Sequence, residues 1–256
     1  MMIIYSLLGM FVLMTLVWVW YLTVQKPFVV DIAWSIMIGG AGFFFALNSP
    51  LTAYSFCSLA LLFFWSIRLF LYLFITRILN DTQDTRYDAL SQQWNRKKTW
   101  GFFWHYQFQG LLALSIALPF YWIPQVDHFS TFRVCVLVLT FLMIVGEWVA
   151  DHQLHRFKQS HSGQVCQRGL WAWSRHPNCF FEAKIWIGFF LLALTPTNLW
   201  CLIALISPLV IHWIMLGITI PITEKKSLQS RGDKYKDYIK TTPCFYPWST
   251  KDTTKT

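Results

Sequence analysis

The chain has 256 residues, of which 55% are hydrophobic and 19% aromatic, while only 13% are charged. A soluble domain carries about 25% charged residues, so this composition excludes an ordinary soluble protein and predicts a membrane protein. The formal net charge of +9 could suggest nucleic-acid binding. The positions of the cations instead point to membrane topology and to contact with anionic lipid headgroups, so no nucleic-acid partner is expected.

Apolar segments long enough to cross a bilayer follow one another along the chain. Runs of roughly 20 apolar residues are typical of transmembrane helices. The first lacks the cationic region of a signal peptide and is too long for one, so it is expected to be retained as a span. We therefore predict an all-α, polytopic membrane helical bundle that forms one domain over residues 1–256. About seven transmembrane helices are expected, at 2–24, 28–48, 51–76, 102–122, 131–150, 179–196 and 199–221.

The cations predict how these spans are oriented. All 21 Lys and Arg residues except Arg68 and Arg133 fall in or beside the first, third and fifth connectors or in the C-terminal tail. Cations collect on the cytoplasmic side of a membrane protein. The N-terminus is therefore predicted to lie outside and the C-terminus in the cytoplasm. We expect an integral multi-pass membrane protein whose active face is cytoplasmic. If the source is bacterial, the expected location is the inner membrane.

Cysteine and histidine spacing gives no metal-site or disulfide pattern. The six cysteines form no CxxC pair, and three of them face the predicted reducing side. His152 and His155 form an HxxH, but the chain has no HExxH and no further histidine boxes. We therefore predict neither a structural disulfide nor a bound metal.

The third connector, residues 77–101, mixes acidic and basic residues. One interpretation is a solvated surface helix. The other is a cap over a cytoplasmic pocket, in which Arg86 and Tyr87 reach a ligand.

Ionisable residues continue along one face of the fifth span into the cytoplasmic region. Glu147, Asp151, His155 and Lys158 are spaced as neighbours on one helix face. Carboxylates suit ribose hydroxyls, and cations farther out suit phosphates. The alternative is a solvated helix end with weak ion pairs between successive turns. Because Glu147 lies at bilayer depth, where an ionisable group is costly unless it has a function, we favour a binding site.

The segment from Arg168 to Glu182 carries the most specific pattern. Gly169 permits a turn, and Arg175 and His176 supply hydrogen-bond donors. Pro177 can open the sixth span at its first helical position, and a helix N-terminus beside an arginine can seat a phosphate. Asn178 and Glu182 would then share a helix face.

This Arg-His-Pro sequence after a Gly-Leu-aromatic turn resembles two families with a common membrane fold, the steroid 5α-reductase-like reductases and the isoprenylcysteine carboxyl methyltransferases. Asn178 and Glu182 favour the reductases. The Glu147-x-x-x-Asp151 helix and the tail from Pro221 to Pro247 resemble their bacterial branch, catalogued as a domain of unknown function (DUF1295-like). The resemblance covers about residues 28–248. Cys179 and Phe181 depart from it, since they stand where Tyr and Gly are usual.

The resemblance implies a site for NADPH in the C-terminal region, 126–256, and a substrate cavity among the N-terminal spans, 1–125. The cofactor residues that it implies, together with those of the fifth-span face, are Glu147, Asp151, His155, Lys158, Arg168, Arg175, His176, Asn178, Glu182, Glu224, Tyr235 and Tyr238.

The same resemblance implies reduction of a C=C bond, typically of an enone, in a lipophilic substrate that is steroid-like or isoprenoid-like. Asp31, Tyr72 and Tyr87 are candidate proton donors. A rival function is an S-adenosylmethionine-dependent methyltransferase of the isoprenylcysteine or phospholipid type, and a third is non-enzymatic lipid binding or transport. The expected partners are the lipophilic substrate and membrane lipid; the substrate's identity and the oligomeric state stay open.

Overall fold

The computed structural model describes residues 1–79, 85–126 and 129–247. Within these ranges every regular element is a helix, as the composition predicts. The first group of helices is α1 (Met2–Val24), α2 (Val29–Ala46), α3 (Ala53–Leu73), α4 (Thr85–Trp94), α5 (Lys98–Ala117) and α6 (Pro119–Trp122). The second group is α7 (Thr131–Ser160), α8 (Pro177–Ala193), α9 (Ile206–Trp213), α10 (Ile220–Arg231) and α11 (Asp233–Thr241). Two π-helical turns, Phe74–Leu79 and Ile214–Thr219, continue α3 and α9.

Five helical segments of the described chain are long and apolar enough to cross a membrane: Met2–Val24, Val29–Ala46, Ala53–Arg77, Thr131–Ser160 and Leu199–Arg231. The protein is thus an all-helical membrane protein. The other two predicted spans coincide with α5, which contains polar residues, and α8, whose 17 residues rise about 25 Å against a hydrocarbon core of about 30 Å. The count of seven and the orientation of the termini therefore stay predictions.

The chain divides into two compact units. Unit 1 consists of Met1–Leu137 and Phe189–Val210, and unit 2 of Val138–Gly188 and Ile211–Thr256. In unit 1, α2 packs against α1, α3, α5 and α6. Glycines allow close approach of these helices, because a Cβ at Gly42 would collide with Leu62 and one at Gly110 with Met10.

In unit 2, α7 packs against α8. A Cβ at Gly188 would collide with Thr140, and a Cβ at Gly146 would collide with the ring of Phe181. Phe181 is one of the two departures from the reductase pattern. Gly146 supplies the space for this larger side chain on the facing helix, so the two helices still pack closely.

Candidate functional site

Four polar side chains of α7 and α8 are gathered in unit 2. Glu147 and Asp151 lie one turn apart on α7, and Asn178 and Glu182 lie one turn apart on α8. The three acids are nearly inaccessible, with 6%, 6% and 5% of their surface exposed for Glu147, Asp151 and Glu182. All three carboxylates act electrostatically on the thiol of Cys179, which places them around one point. We call these four residues the acidic cluster.

Hydrogen bonds orient part of the acidic cluster. Asn178 Nδ2 donates to Asp151 Oδ1 over 3.2 Å, and Trp186 Nε1 donates to Glu182 Oε1 over 2.8 Å. The Oδ1 atom of Asn178 is buried and has no hydrogen-bond partner among the described residues. A buried acceptor of this kind requires an explanation, and a ligand that donates a hydrogen bond is one.

A second group joins the segment before α8 to the C-terminal tail. Arg175 donates to Glu224 Oε1 through Nε and Nη2, each over 2.8 Å, and His176 Nε2 lies 3.2 Å from the same oxygen. Arg175 Nη1 also donates to the carbonyls of Ile239 and Thr242, over 3.2 and 2.6 Å. The guanidinium is therefore engaged on all three nitrogens by the protein itself. This arrangement favours a structural role for Arg175, and a phosphate contact by Arg175 stays a prediction.

His176 is held as a neutral ring. Burial lowers its pKa below the ordinary value of 6.5, against the opposing effect of the Glu224 carboxylate. A carboxylate oxygen only accepts hydrogen bonds, so the neutral imidazole carries its proton on Nε2. His176 therefore acts as a donor to Glu224 near neutral pH.

His176, Glu224 and Cys244 offer three potential metal-ligand atoms within 4.8 Å of one another. The same Glu224 oxygen already accepts two N–H groups of Arg175. A dication bound there would lie beside the guanidinium, and like charges in a buried place repel strongly. Burial also raises the pKa of the Cys244 thiol, whereas a thiol must lose its proton to bind a metal. The geometry favours an ion-pair network over a metal centre.

Tyr235 and Tyr238 lie on the buried side of α11. Tyr238 donates its hydroxyl to the carbonyl of Trp171 and lies 3.3 Å from that of Ser174. Burial raises the pKa of both phenols, so both are neutral donors. The hydroxyl of Tyr238 thus has partners in the protein and fixes the tail against the segment that precedes α8.

Gln153 and Trp171, which the sequence pattern did not single out, hold the segment before α8 in place. Gly169 has φ of 60°, the left-handed conformation that glycine adopts without strain. The following N–H, of Leu170, donates to Gln153 Oε1 over 3.0 Å, and Trp171 Nε1 donates to the carbonyl of Ala150 over 2.9 Å. Gln153 and Trp171 therefore pin the predicted turn onto α7. Nothing in their spacing distinguishes them from ordinary loop and helix residues.

The outer cofactor candidates lie in more exposed positions. His155 is half-buried beside Gln159, and Arg168 is exposed. Lys158 lies within electrostatic range of Lys226 and Arg231 on α10. Arg231 Nη1 donates to Ser227 Oγ, but its buried Nε has no hydrogen-bond partner among the described residues. Lys158, Lys226 and Arg231 form a cation cluster, of which only Lys158 lies on the predicted fifth-span face.

Two of the three candidate proton donors meet in unit 1. Tyr87 donates its hydroxyl to Asp31 Oδ1 over 2.7 Å, and Arg77 forms an ion pair with Asp31 Oδ2. Tyr87 is buried. Tyr72 is half-buried on α3, five residues before Arg77. The side chain of Arg86, the other candidate of this connector, lies outside the described part of the structure.

The geometry defines a class of protein. It is a helical membrane protein that has buried acids on two adjacent helices and cations at one end of these helices. A family model described as "Protein of unknown function (DUF1295)" matches residues 17–242, and the chain belongs to that family. Searches of curated proteins and of solved structures give no significant match.

Proposed function

We propose that the protein is an NADPH-dependent reductase that adds two hydrogens across a C=C bond, of the enone type, in a lipophilic substrate. The observation that carries the proposal is the acidic cluster together with the cation cluster. Buried carboxylates and an amide suit the hydroxyls and carboxamide of a dinucleotide, and cations suit its phosphates. The unused acceptor Asn178 Oδ1 matches the donor of a carboxamide.

Charge distinguishes this cofactor from that of the rival methyltransferase. NADPH carries a pyrophosphate and a 2′-phosphate, whereas S-adenosylmethionine carries no phosphate. Lys226 and Arg231 act on Lys158 as like charges, Asp151 acts on it as an opposite charge, and a further anion beside the three cations would reduce their mutual repulsion. Their grouping is explained by a phosphorylated cofactor and is not required by S-adenosylmethionine.

Unit 1 contains a proton-bearing pair whose chemistry suits the second half of the reaction. When bound, NADPH supplies a hydride, which in an enone adds to the β-carbon and leaves an enolate. The α-carbon or the enolate oxygen then takes a proton, so that one hydride and one proton complete the reduction. The hydroxyl of Tyr87, 2.7 Å from Asp31, holds such a proton. A substrate carbonyl that approaches the phenol would compete with Asp31 for it.

Identification of the bound nucleotide tests the proposal directly. We expect NADP(H) in the supernatant when the purified protein is denatured, and saturable NADPH binding in titrations that weakens as salt increases. Specific S-adenosylmethionine binding without NADPH binding would replace the reductase by the methyltransferase. Binding of neither would favour the lipid-binding alternative.

A paired set of variants tests the cation cluster. Arg231→Ala should weaken NADPH binding by about 1.5–3 kcal/mol, the range for a hydrogen bond to a charged group. Lys240→Ala is the matched control, because Lys240 is an exposed α11 cation that pairs with Asp237. Equal affinities for the two variants would remove the cation cluster from the cofactor site.

A further inference from the structure

Unit 1 contains a groove of about 430 Å³ between α2 and α3. This volume falls within the roughly 300–1,000 Å³ of pockets that hold small organic ligands. Ile36, Gly40 and Phe43 line it from α2 at one-face spacing, and Leu62, Ser66 and Phe70 are among those that line it from α3. Because its lining comes from two helices alone, the groove is a slot along their seam.

An occupant of the groove needs no polar group, because the lining has no polar side-chain atom that lacks a hydrogen-bond partner. Ser66 is its one polar side chain, and its hydroxyl donates to the carbonyl of Ser35 over 2.6 Å. Phe43 and Phe63, on the edges of the groove, are 53% and 61% exposed. Both helices belong to candidate membrane spans. In a bilayer these exposed edges would face hydrocarbon, and a hydrocarbon occupant suits the lining.

Two adjacent glycines shape the slot. A Cβ at Gly39 would collide with Ser66, so α2 and α3 touch there and close the floor. A Cβ at Gly40 would meet nothing within 4 Å, so the missing side chain at Gly40 leaves the slot open. A side chain added at Gly40 would enter the groove without displacing another part of the protein.

The seam that carries the groove ends at the Asp31–Tyr87 pair. Asp31, Ser35 and Gly39 share one face of α2 at four-residue spacing, and Ser35 and Gly39 are the residues that contact Ser66. Ile36 lies five residues after Asp31, about 7.5 Å along the helix, and Phe43 about 10 Å farther on. Arg77, which pairs with Asp31, closes the same end from the α3 side.

We propose that this groove holds the single hydrocarbon chain, acyl or isoprenoid, of the substrate, whose reducible end then lies toward Asp31 and Tyr87. The assignment rests on the proposed reductase function. It follows from a slot whose lining is apolar apart from Ser66, and from a seam between α2 and α3 that ends at Asp31, the acceptor of the Tyr87 hydroxyl. The proposed occupant is a flexible chain, because only two helices form the walls of the slot.

Photolabelling in lipid nanodiscs tests the groove without depending on activity. The probe is a long-chain enone with a diazirine at the far end of its chain, and labelled residues are located by mass spectrometry. We expect labels on the groove residues of α2 and α3, removed by excess unlabelled long-chain enone. Gly40→Leu should reduce labelling about tenfold or more, the discrimination that one added methylene produces in an apolar pocket.

Gly9→Leu is the matched control, because Gly9 is an exposed glycine inside α1 whose Cβ would also meet nothing within 4 Å. It should label like the wild type. Labelling that Gly40→Leu does not reduce would overturn the assignment. So would labelling that unlabelled enone does not compete, which indicates bilayer lipid, or equal competition by a rigid four-ring steroid enone.

Activity separates this inference from the function on which it rests. If the protein is a reductase, Gly40→Leu should raise KM for a long-chain enone far more than KM for a short-chain enone. If the wild type neither binds NADPH nor reduces any enone, the proposed function fails, and the labelling pattern still decides whether the groove holds a chain. Thermal melting of both leucine variants without ligand verifies that each is folded.

Discussion

The two units use their polar side chains differently. In unit 1, the hydroxyl groups of buried side chains mostly donate to backbone carbonyls, as Tyr54 does to Leu192 and Tyr106 to Pro27. The Asp31–Tyr87 pair is an exception. In unit 2, side chains also donate to backbone carbonyls, but in addition buried side chains bond to one another across long sequence separations, as in Arg175–Glu224 and Asn178–Asp151. The proposed function assigns the lipophilic substrate to unit 1 and the charged cofactor to unit 2, and the following variants test this assignment.

The largest effect should come from the polar pair of unit 1. Tyr87→Phe removes the hydroxyl that donates to Asp31, and loss of a general acid typically lowers a rate by about 10²–10⁴-fold. We expect this loss in kcat for enone reduction, measured by NADPH oxidation, with NADPH affinity unchanged. Tyr5→Phe, at an exposed tyrosine of α1, is the control. A normal kcat in Tyr87→Phe would leave Tyr72 as the remaining tyrosine candidate.

The next effect concerns stability and belongs to unit 2. Glu224→Ala removes the counter-charge of Arg175, whose side chain is 9% exposed. Removing one partner of a buried ion pair costs about 3–5 kcal/mol, and the partial exposure of Glu224 places the loss near the lower end. The melting temperature without nucleotide should therefore fall clearly. Asp233→Ala breaks only an exposed pair with Lys236 and should leave melting unchanged; similar melting of both variants would contradict the structural role.

A smaller effect separates cofactor binding from packing within the acidic cluster. Glu147→Gln should leave melting without ligand nearly unchanged and reduce the stabilisation that added NADPH produces. The expected loss is about 1–3 kcal/mol of binding free energy. Asp237→Asn, at an exposed acid of α11, is the control. A large drop without ligand combined with an intact NADPH shift would make Glu147 a packing residue.

Local sequence patterns predicted the local parts of this arrangement. The unbroken α7 over Glu147–Lys158, the start of α8 at Pro177 and the turn at Gly169 all appear in the structure. Each depends on residues within one or two turns of one another, where helical periodicity and backbone freedom decide the geometry. Glu147 and Asp151 share one face of α7, and Asn178 and Glu182 share one face of α8, as their four-residue spacing predicts.

Partners far apart in sequence could not be predicted in this way. Arg175 pairs with Glu224 across 49 residues, and Tyr87 with Asp31 across 56. Which helices pack together, and in what register, decides such contacts, and hydropathy does not encode register. For the same reason the sequence pattern around Arg175 predicts a phosphate ligand, although in the structure its N–H groups donate to Glu224 and to carbonyls of the tail.

The smallest expected effect is a pH dependence that originates at His176. The groups that act on it are Glu224 and Arg175, and burial has the largest effect, lowering its pKa below 6.5. The unfolded chain then binds a proton at a higher pH than the folded protein does. The contribution of His176 to stability is therefore complete above about pH 6.5 and is lost as the pH falls through the lowered pKa of the folded state.

Melting temperatures between about pH 8 and pH 5, the range in which histidine titrates, measure this effect. The wild type should lose stability below about pH 6.5, and His176→Gln, which has no imidazole at that position, should lose less over the same interval. The difference between the two curves isolates His176 from the carboxylates, which titrate mainly at lower pH. Parallel curves would show that His176 titrates alike in the folded and unfolded states. A steeper loss in His176→Gln would mean that the Glu224 carboxylate, rather than burial, dominates the environment of the ring and raises its pKa.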